Sequence, residues 1–152
     1  RLVYLDYHAT TPVDPRVLEV MLPYFTEQFG NPASSSHAFG WKAQEAVEQA
    51  RRQVAALVGS TAREIVFTSG ATESNNWAIK GVAANAPAGR RHLVCSAIEH
   101  KSVLEACKSL ENAGWSLTIV PVQRDGRIDL AALEGVVSDE TALVSIMAAN
   151  NE

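Results

Sequence analysis

The chain has 152 residues, 47% of them hydrophobic, which is enough for one domain with a substantial core and too apolar for a disordered segment. Thirteen Lys and Arg against 17 Asp and Glu leave a net charge of −4 with neither sign gathered into a block, so no nucleic-acid or membrane-surface partner is expected. No apolar run approaches the roughly 18 residues of a membrane span, and two cysteines without metal-ligand spacing argue against a disulfide framework or a metal site. A cytoplasmic protein is the expectation; the sequence opens on Arg1, which leaves an organellar leader open.

In chain order, Val3 to Leu5 is a short apolar stretch. Asp14 is placed to cap a helix with Pro15 at its first position. That helix is expected over Pro15 to Phe25, with Val17, Leu18, Met21, Leu22 and Phe25 on one face. Gly30 to His37 reads as a loop. A second helix runs from Gly40 to Val58, with Val47, Ala50, Val54 and Leu57 on its apolar side, and Gly59 stops it.

From there short apolar runs alternate with amphipathic ones. Strands are expected at Ile65–Thr68, Leu93–Cys95, Leu117–Val120 and Leu143–Ile146. Helices are expected over Glu73–Ala84 and Lys101–Asn112, with another opened by Asp129 after a turn at Arg124–Arg127. Alternation of this kind implies βαβ crossovers, a mainly parallel sheet and helices on its faces. The expected organisation is an N-terminal helical arm over 1–59 and an incomplete α/β domain over 60–152.

Ligands of an open parallel sheet gather beyond the carboxyl ends of its strands, which singles out three loops. Thr68-Ser69-Gly70-Ala71-Thr72-Glu73 leads into a helix whose free N–H groups, with the Ser69 and Thr72 hydroxyls, suit a single phosphate. Thr72 reads equally well as a plain helix cap. The loop lacks the Gly-Lys-Ser/Thr of a triphosphate site and the G-x-G-x-x-G of a dinucleotide site.

The second loop, Ala97 to Ser102, puts His100 at a strand-to-helix junction, where it is either a helix-start residue or one fit for proton transfer and stacking. The third, Ala148-Ala149-Asn150-Asn151-Glu152, carries two amides that read as turn formers or as ligand contacts. His8, His37 and His92 read as surface or locally bonded residues, Cys95 and Cys107 as inert buried thiols, and Trp41, Trp77 and Trp115 as packing residues.

Five segments together resemble one family: Tyr4 to Pro12, Gly30-Asn31-Pro32 with Ser34 to His37, Phe67 to Asn75, Glu99-His100-Lys101, and Asn150-Asn151-Glu152. In order and spacing they are similar to the cysteine desulfurases, in the class V branch of the fold type I pyridoxal-phosphate (PLP) enzymes. The resemblance implies a PLP-transferase-like large domain. It implies that Ala71 and Thr72 hold the cofactor phosphate, that His100 stacks on the pyridine ring and assists proton transfer, and that Asn151 contacts the cofactor and orients substrate. Ala9-Thr10-Thr11 would line the substrate side.

The implied reaction turns L-cysteine into L-alanine and leaves persulfide sulfur for an acceptor or scaffold protein in iron–sulfur cluster assembly, carried out by a homodimer. The family's Schiff-base lysine and persulfide cysteine have no counterpart here: Lys42, Lys80, Lys101 and Lys108 lack the expected context. The resemblance therefore implies the N-terminal portion of such an enzyme, inactive and poorly soluble alone. Two other readings stand beside it: a selenocysteine lyase or other class V transaminase, and a truncated, non-catalytic partner-binding module.

Overall fold

The protein is described by a computed structural model over residues 2–150. Two compact units divide the chain, one ending at Phe67 and the other beginning at Thr68.

In the first unit, helix α1 spans Pro15–Thr26. Asp14 caps it as expected, accepting the Arg16 backbone N–H at 2.9 Å, and Pro15 takes the position where a missing N–H costs nothing. The apolar face is present, yet Val17, Leu18, Met21, Leu22 and Phe25 all stand exposed.

Helix α2 spans Ala38–Val58, beginning two residues before the expected start because His37 caps it: the Gly40 N–H donates to His37 Nδ1 at 3.2 Å. Gly59, with φ of 71°, closes it in the left-handed conformation. Small residues, Gly40, Ala43 and Ala55, are its buried positions; of the apolar stripe read from the sequence, Val47 and Ala50 are half-buried, while Val54 and Leu57 towards the end of the helix are exposed. Contact here is backbone-close: a methyl on Gly40 would collide with the Ser34 carbonyl, which brings the loop of residues 30–37 down onto the start of α2.

A single 3-10 turn, Ala62–Glu64, follows, where the Thr61 backbone N–H and hydroxyl both donate to the Glu64 carboxylate at 2.8 Å. The segment Ile65–Thr68, expected as a strand, has no regular secondary structure. A strand exists through its ladder, and no described residue pairs with this segment. The Ile65 carbonyl accepts from the Arg51 guanidinium, which also lies 5.1 Å over the Phe67 ring.

The second unit runs α3 (Ala71–Asn85), β1 (His92–Ser96), α4 (Lys101–Glu111), β2 (Ser116–Val120), α5 (Leu130–Val136) and β3 (Thr141–Ser145). The sheet is wholly parallel in the order β2-β1-β3, which bears out the expected α/β class. Leu117, Leu93 and Leu143 stand in one row across it. With Cys95 they form the face that packs on Ile79 of α3 and on Val103, Ala106 and Cys107 of α4. The fully buried Leu93 contributes roughly 1.5–3 kcal/mol by leaving water.

At the amino ends of the strands His92 ties all three together. Its Nε2 lies 2.8 Å from the Thr118 hydroxyl and its Nδ1 3.0 Å from that of Thr141. The β1–β3 register slips between His92 and Leu93, leaving Ala142 unmatched. Asp129 caps α5 as expected, accepting from the Ala132 N–H at 3.1 Å. Of the tryptophans, Trp115 packs on the core of the second unit, whereas Trp41 and Trp77 are exposed, with the Trp41 indole N–H donating to the Ser35 carbonyl at 2.7 Å.

Candidate active site

β1 is followed in space by β2 on one side and β3 on the other, so the chain reverses its winding direction at β1. Loops after β1 and β3 therefore diverge at a topological switch point, where open parallel sheets bind ligands. Two hydrogen bonds fasten these loops to each other. The Met147 N–H donates to the carboxylate of Glu99, and Asn150 Nδ2 donates to the Ile98 carbonyl at 2.9 Å. Glu99 is itself buried and accepts a second bond from the Ser96 hydroxyl at 3.2 Å. A cleft of about 670 Å³ opens beside this clasp, lined in part by Ser96, Ile98, Ile146 and Asn150.

The start of α3 has a different economy. Gly70 stands at the cap position without a side chain, so Thr72 is the second residue of the helix and not its cap. The first bond of the helix runs from the Ser74 N–H to the Gly70 carbonyl at 3.1 Å, which leaves the N–H groups of Ala71, Thr72 and Glu73 facing outward with no intrahelical acceptor. The Ser69 hydroxyl is committed elsewhere: it donates to the Glu73 carboxylate at 2.8 Å, and the Ser69 backbone N–H does so at 2.6 Å. Those two bonds, the backbone one first, hold the Glu73 carboxyl below its usual range. Thr68 is likewise bound to Ser74, hydroxyl to hydroxyl at 2.7 Å. Of the four hydroxyls near this helix start, only that of Thr72 remains uncommitted among the described residues.

His100 is the cap of α4 and is exposed. Its Nδ1 accepts the Ser102 backbone N–H at 3.1 Å and lies 2.8 Å from the Ser102 hydroxyl. Ser102 in turn receives Asn75 Nδ2 of α3 at 2.8 Å, which joins the starts of the two helices. A second cleft, about 470 Å³, is lined by Thr72, Asn76 and Lys80 of α3 and by His100, Lys101 and Ser102. Thr72 and His100 thus share one cleft, Ala71 adjoins it as the first residue of α3, and Asn150 lines the other cleft; Asn151 lies outside the described residues.

Sequence reasoning assigned no role to Asn75, Ser102 or Glu99. Nothing local marks them: Asn75 and Ser102 meet across 27 positions, and Glu99 and Met147 across 48. Cys95 and Cys107 take no part in either cleft. Both are buried between β1 and α4, where hydrogen bonding to Cys107, then burial, then the negative charge of its neighbours push the Cys95 thiol far above its usual range.

A parallel sheet with helix starts gathered at the carboxyl ends of its strands is the frame of many ligand-binding enzymes, and the comparison with known proteins narrows it. Residues 3–152 match the aminotransferase class-V model, and the chain belongs to that family. Within it, the sequence is 58% identical over 150 residues to the cysteine desulfurase IscS of Anaeromyxobacter sp. (strain K), covering 99% of this chain and 37% of that protein. A solved structure described as a NifS-like protein superposes with a TM-score of 0.92 at 47% identity, covering 99% of this chain and 41% of that one. SspA, solved in complex with cysteine, superposes at 0.88 with 42% identity, covering 98% and 43% respectively. The chain therefore spans a little over a third of the length of the curated relative it matches.

PLP, the cofactor implied by the resemblance, carries one phosphate. The uncapped first turn of α3 fits such a group. Gly70 has open space where a side chain would stand, and the free N–H groups and the Thr72 hydroxyl supply donors at the positive end of a fifteen-residue helix.

Proposed function

We propose that the protein is a PLP-dependent cysteine desulfurase, converting L-cysteine to L-alanine and passing the sulfur as persulfide to an acceptor or scaffold protein for iron–sulfur cluster assembly. The observation that carries this reading is the shared cleft in which Thr72, beside the uncapped start of α3, and His100, at the start of α4, come together. Ala71 and Thr72 would hold the phosphate through their N–H groups and the Thr72 hydroxyl, and His100 would lie against the pyridine ring and carry protons. Asn151 would contact the cofactor and orient the substrate. When bound, the cofactor supplies the electron sink for the chemistry at the amino acid.

His100 suits its role because its Nδ1 is already engaged by Ser102, so its Nε2 is the nitrogen left for proton transfer. The clasp between Glu99 and Met147 would hold the loop after β3 in place beside it. The protein would act as a homodimer in the cytoplasm, a reducing compartment that suits two buried free thiols. No helix among the described residues is long and apolar enough to cross a membrane.

The test uses the protein made from its complete coding sequence and loaded with PLP. L-Cysteine with a reductant should yield sulfide and alanine in equal amounts. Thr72→Val should weaken cofactor retention by about tenfold, the loss of roughly one charge-assisted hydrogen bond. His100→Gln should keep the cofactor and lower kcat by about a hundredfold. Absence of alanine above the free-cofactor background would sink the proposal, and turnover of selenocysteine alone would move the protein to the lyase reading.

A further inference from the structure

His100 is held by more than its own helix. We propose that Ser102 and Asn75 are positioning residues that fix the tautomer and direction of the His100 imidazole; this rests on the role given to His100 above. The geometry leaves little freedom. A backbone N–H can only donate, so the bond from Ser102 N–H to Nδ1 at 3.1 Å requires a lone pair there, and in the neutral ring the proton is then on Nε2.

The Ser102 hydroxyl, 2.8 Å from the same nitrogen, strengthens that choice provided that it donates. Asn75 ensures this: its Nδ2 has only hydrogens to offer, so at 2.8 Å it occupies an acceptor site on Ser102 Oγ and leaves the hydroxyl proton for Nδ1. Nδ1 thus receives two donors. Ser102 is buried and Asn75 half-buried, so water competes poorly for these bonds, while the imidazole they hold is exposed to the cleft. A direct consequence is that α3, whose first turn would carry the phosphate, and α4, which carries the imidazole, are set relative to each other by the same hydrogen bond that sets the tautomer.

The test again uses the full-length protein, labelled with ¹⁵N-histidine, with the His100 signals assigned by their loss in His100→Gln. At a pH where the ring is neutral, His100 should show the Nε2–H tautomer with and without cofactor. Ser102→Ala, which keeps the backbone N–H but loses the hydroxyl donor, should raise the Nδ1–H fraction and lower kcat by about tenfold with little change in KM, the signature of a group left less well oriented in the transition state. Asn75→Ala should move both readouts in the same direction, and Ser102→Thr, which keeps the hydroxyl, should restore them. A dominant Nδ1–H tautomer in the unaltered protein, or unchanged ¹⁵N shifts in both Ser102→Ala and Asn75→Ala, would overturn the proposal. The shifts do not depend on turnover: an Nε2–H tautomer that responds to these variants in a protein inert towards cysteine would uphold the positioning and discard the desulfurase reading.

Discussion

Glu73 illustrates how much a single side chain near this site accomplishes without touching a ligand. Its carboxylate accepts the Ser69 N–H and hydroxyl, closing the loop in front of α3 and committing the Ser69 hydroxyl there. The folded carboxyl is held below the ordinary value of 4.5, so its contribution to the loop is complete above that value and is lost as the pH falls through the lower folded one. Protection of the Ser69 amide against hydrogen exchange should therefore decline over that acidic window, and in Glu73→Gln it should be low and independent of pH there. Retention of the full pH response in Glu73→Gln would show that another group controls the loop. Glu73 is exposed and carries no local sign of its partner, and only the folded chain shows that it captures the serine first suggested as a phosphate donor.

Among the elements, α2 shows why helix existence is easier to read than helix packing. Periodicity identified a helix ending at Val58, and Gly59 marked its end. The buried line of small residues escaped notice because glycine and alanine carry almost no hydrophobic signal; their use is to let backbones approach, as Gly40 does beneath the Ser34 carbonyl. Gly40→Ala should therefore destabilise the protein by about 1–3 kcal/mol although it raises helix propensity, whereas Leu57→Ala, at a position 85% exposed, should change stability by less than about 0.5 kcal/mol. Denaturant midpoints of the two variants check the order; a larger loss for Leu57→Ala would mean that the end of α2, not its start, carries the packing. The opposite case is Ile65–Thr68, which has the composition of a strand but pairs with no described residue, since a strand needs a neighbour that its own residues cannot supply.

For the molecule as a whole, the hydrophobic cluster between one face of the parallel sheet and helices α3 and α4 holds two thiols in contact with each other. Burial and hydrogen bonding keep Cys95 protonated, and with no exposed surface on either sulfur side chain a thiol reagent must wait for unfolding. Modification of Cys95 and Cys107 should accordingly follow the global unfolding rate and accelerate in Leu93→Ala, whose cavity should cost about 2–5 kcal/mol. Rapid labelling of Cys95 or Cys107 in the folded protein would contradict this account of the core.

The sequence by itself determined most of the alternation of helices and strands, the caps at Asp14, Gly59 and Asp129, the parallel α/β class and the loops worth inspecting, because caps, turns and hydrophobic period are local properties that residues a few positions apart express without help. It also carried the family, since five short segments in fixed order are legible one at a time. Only the tertiary structure decided that Thr72 lies inside its helix with Gly70 at the cap, that Thr72 and His100 line one cleft, and that Asn75, Ser102 and Glu99 fasten that region. These are pairings across tens of positions, created when β1 takes the middle of the sheet and brings the starts of α3 and α4 together. A hydrogen bond between distant residues leaves no periodic trace in either of them, and so the fold had to be built before it could be seen.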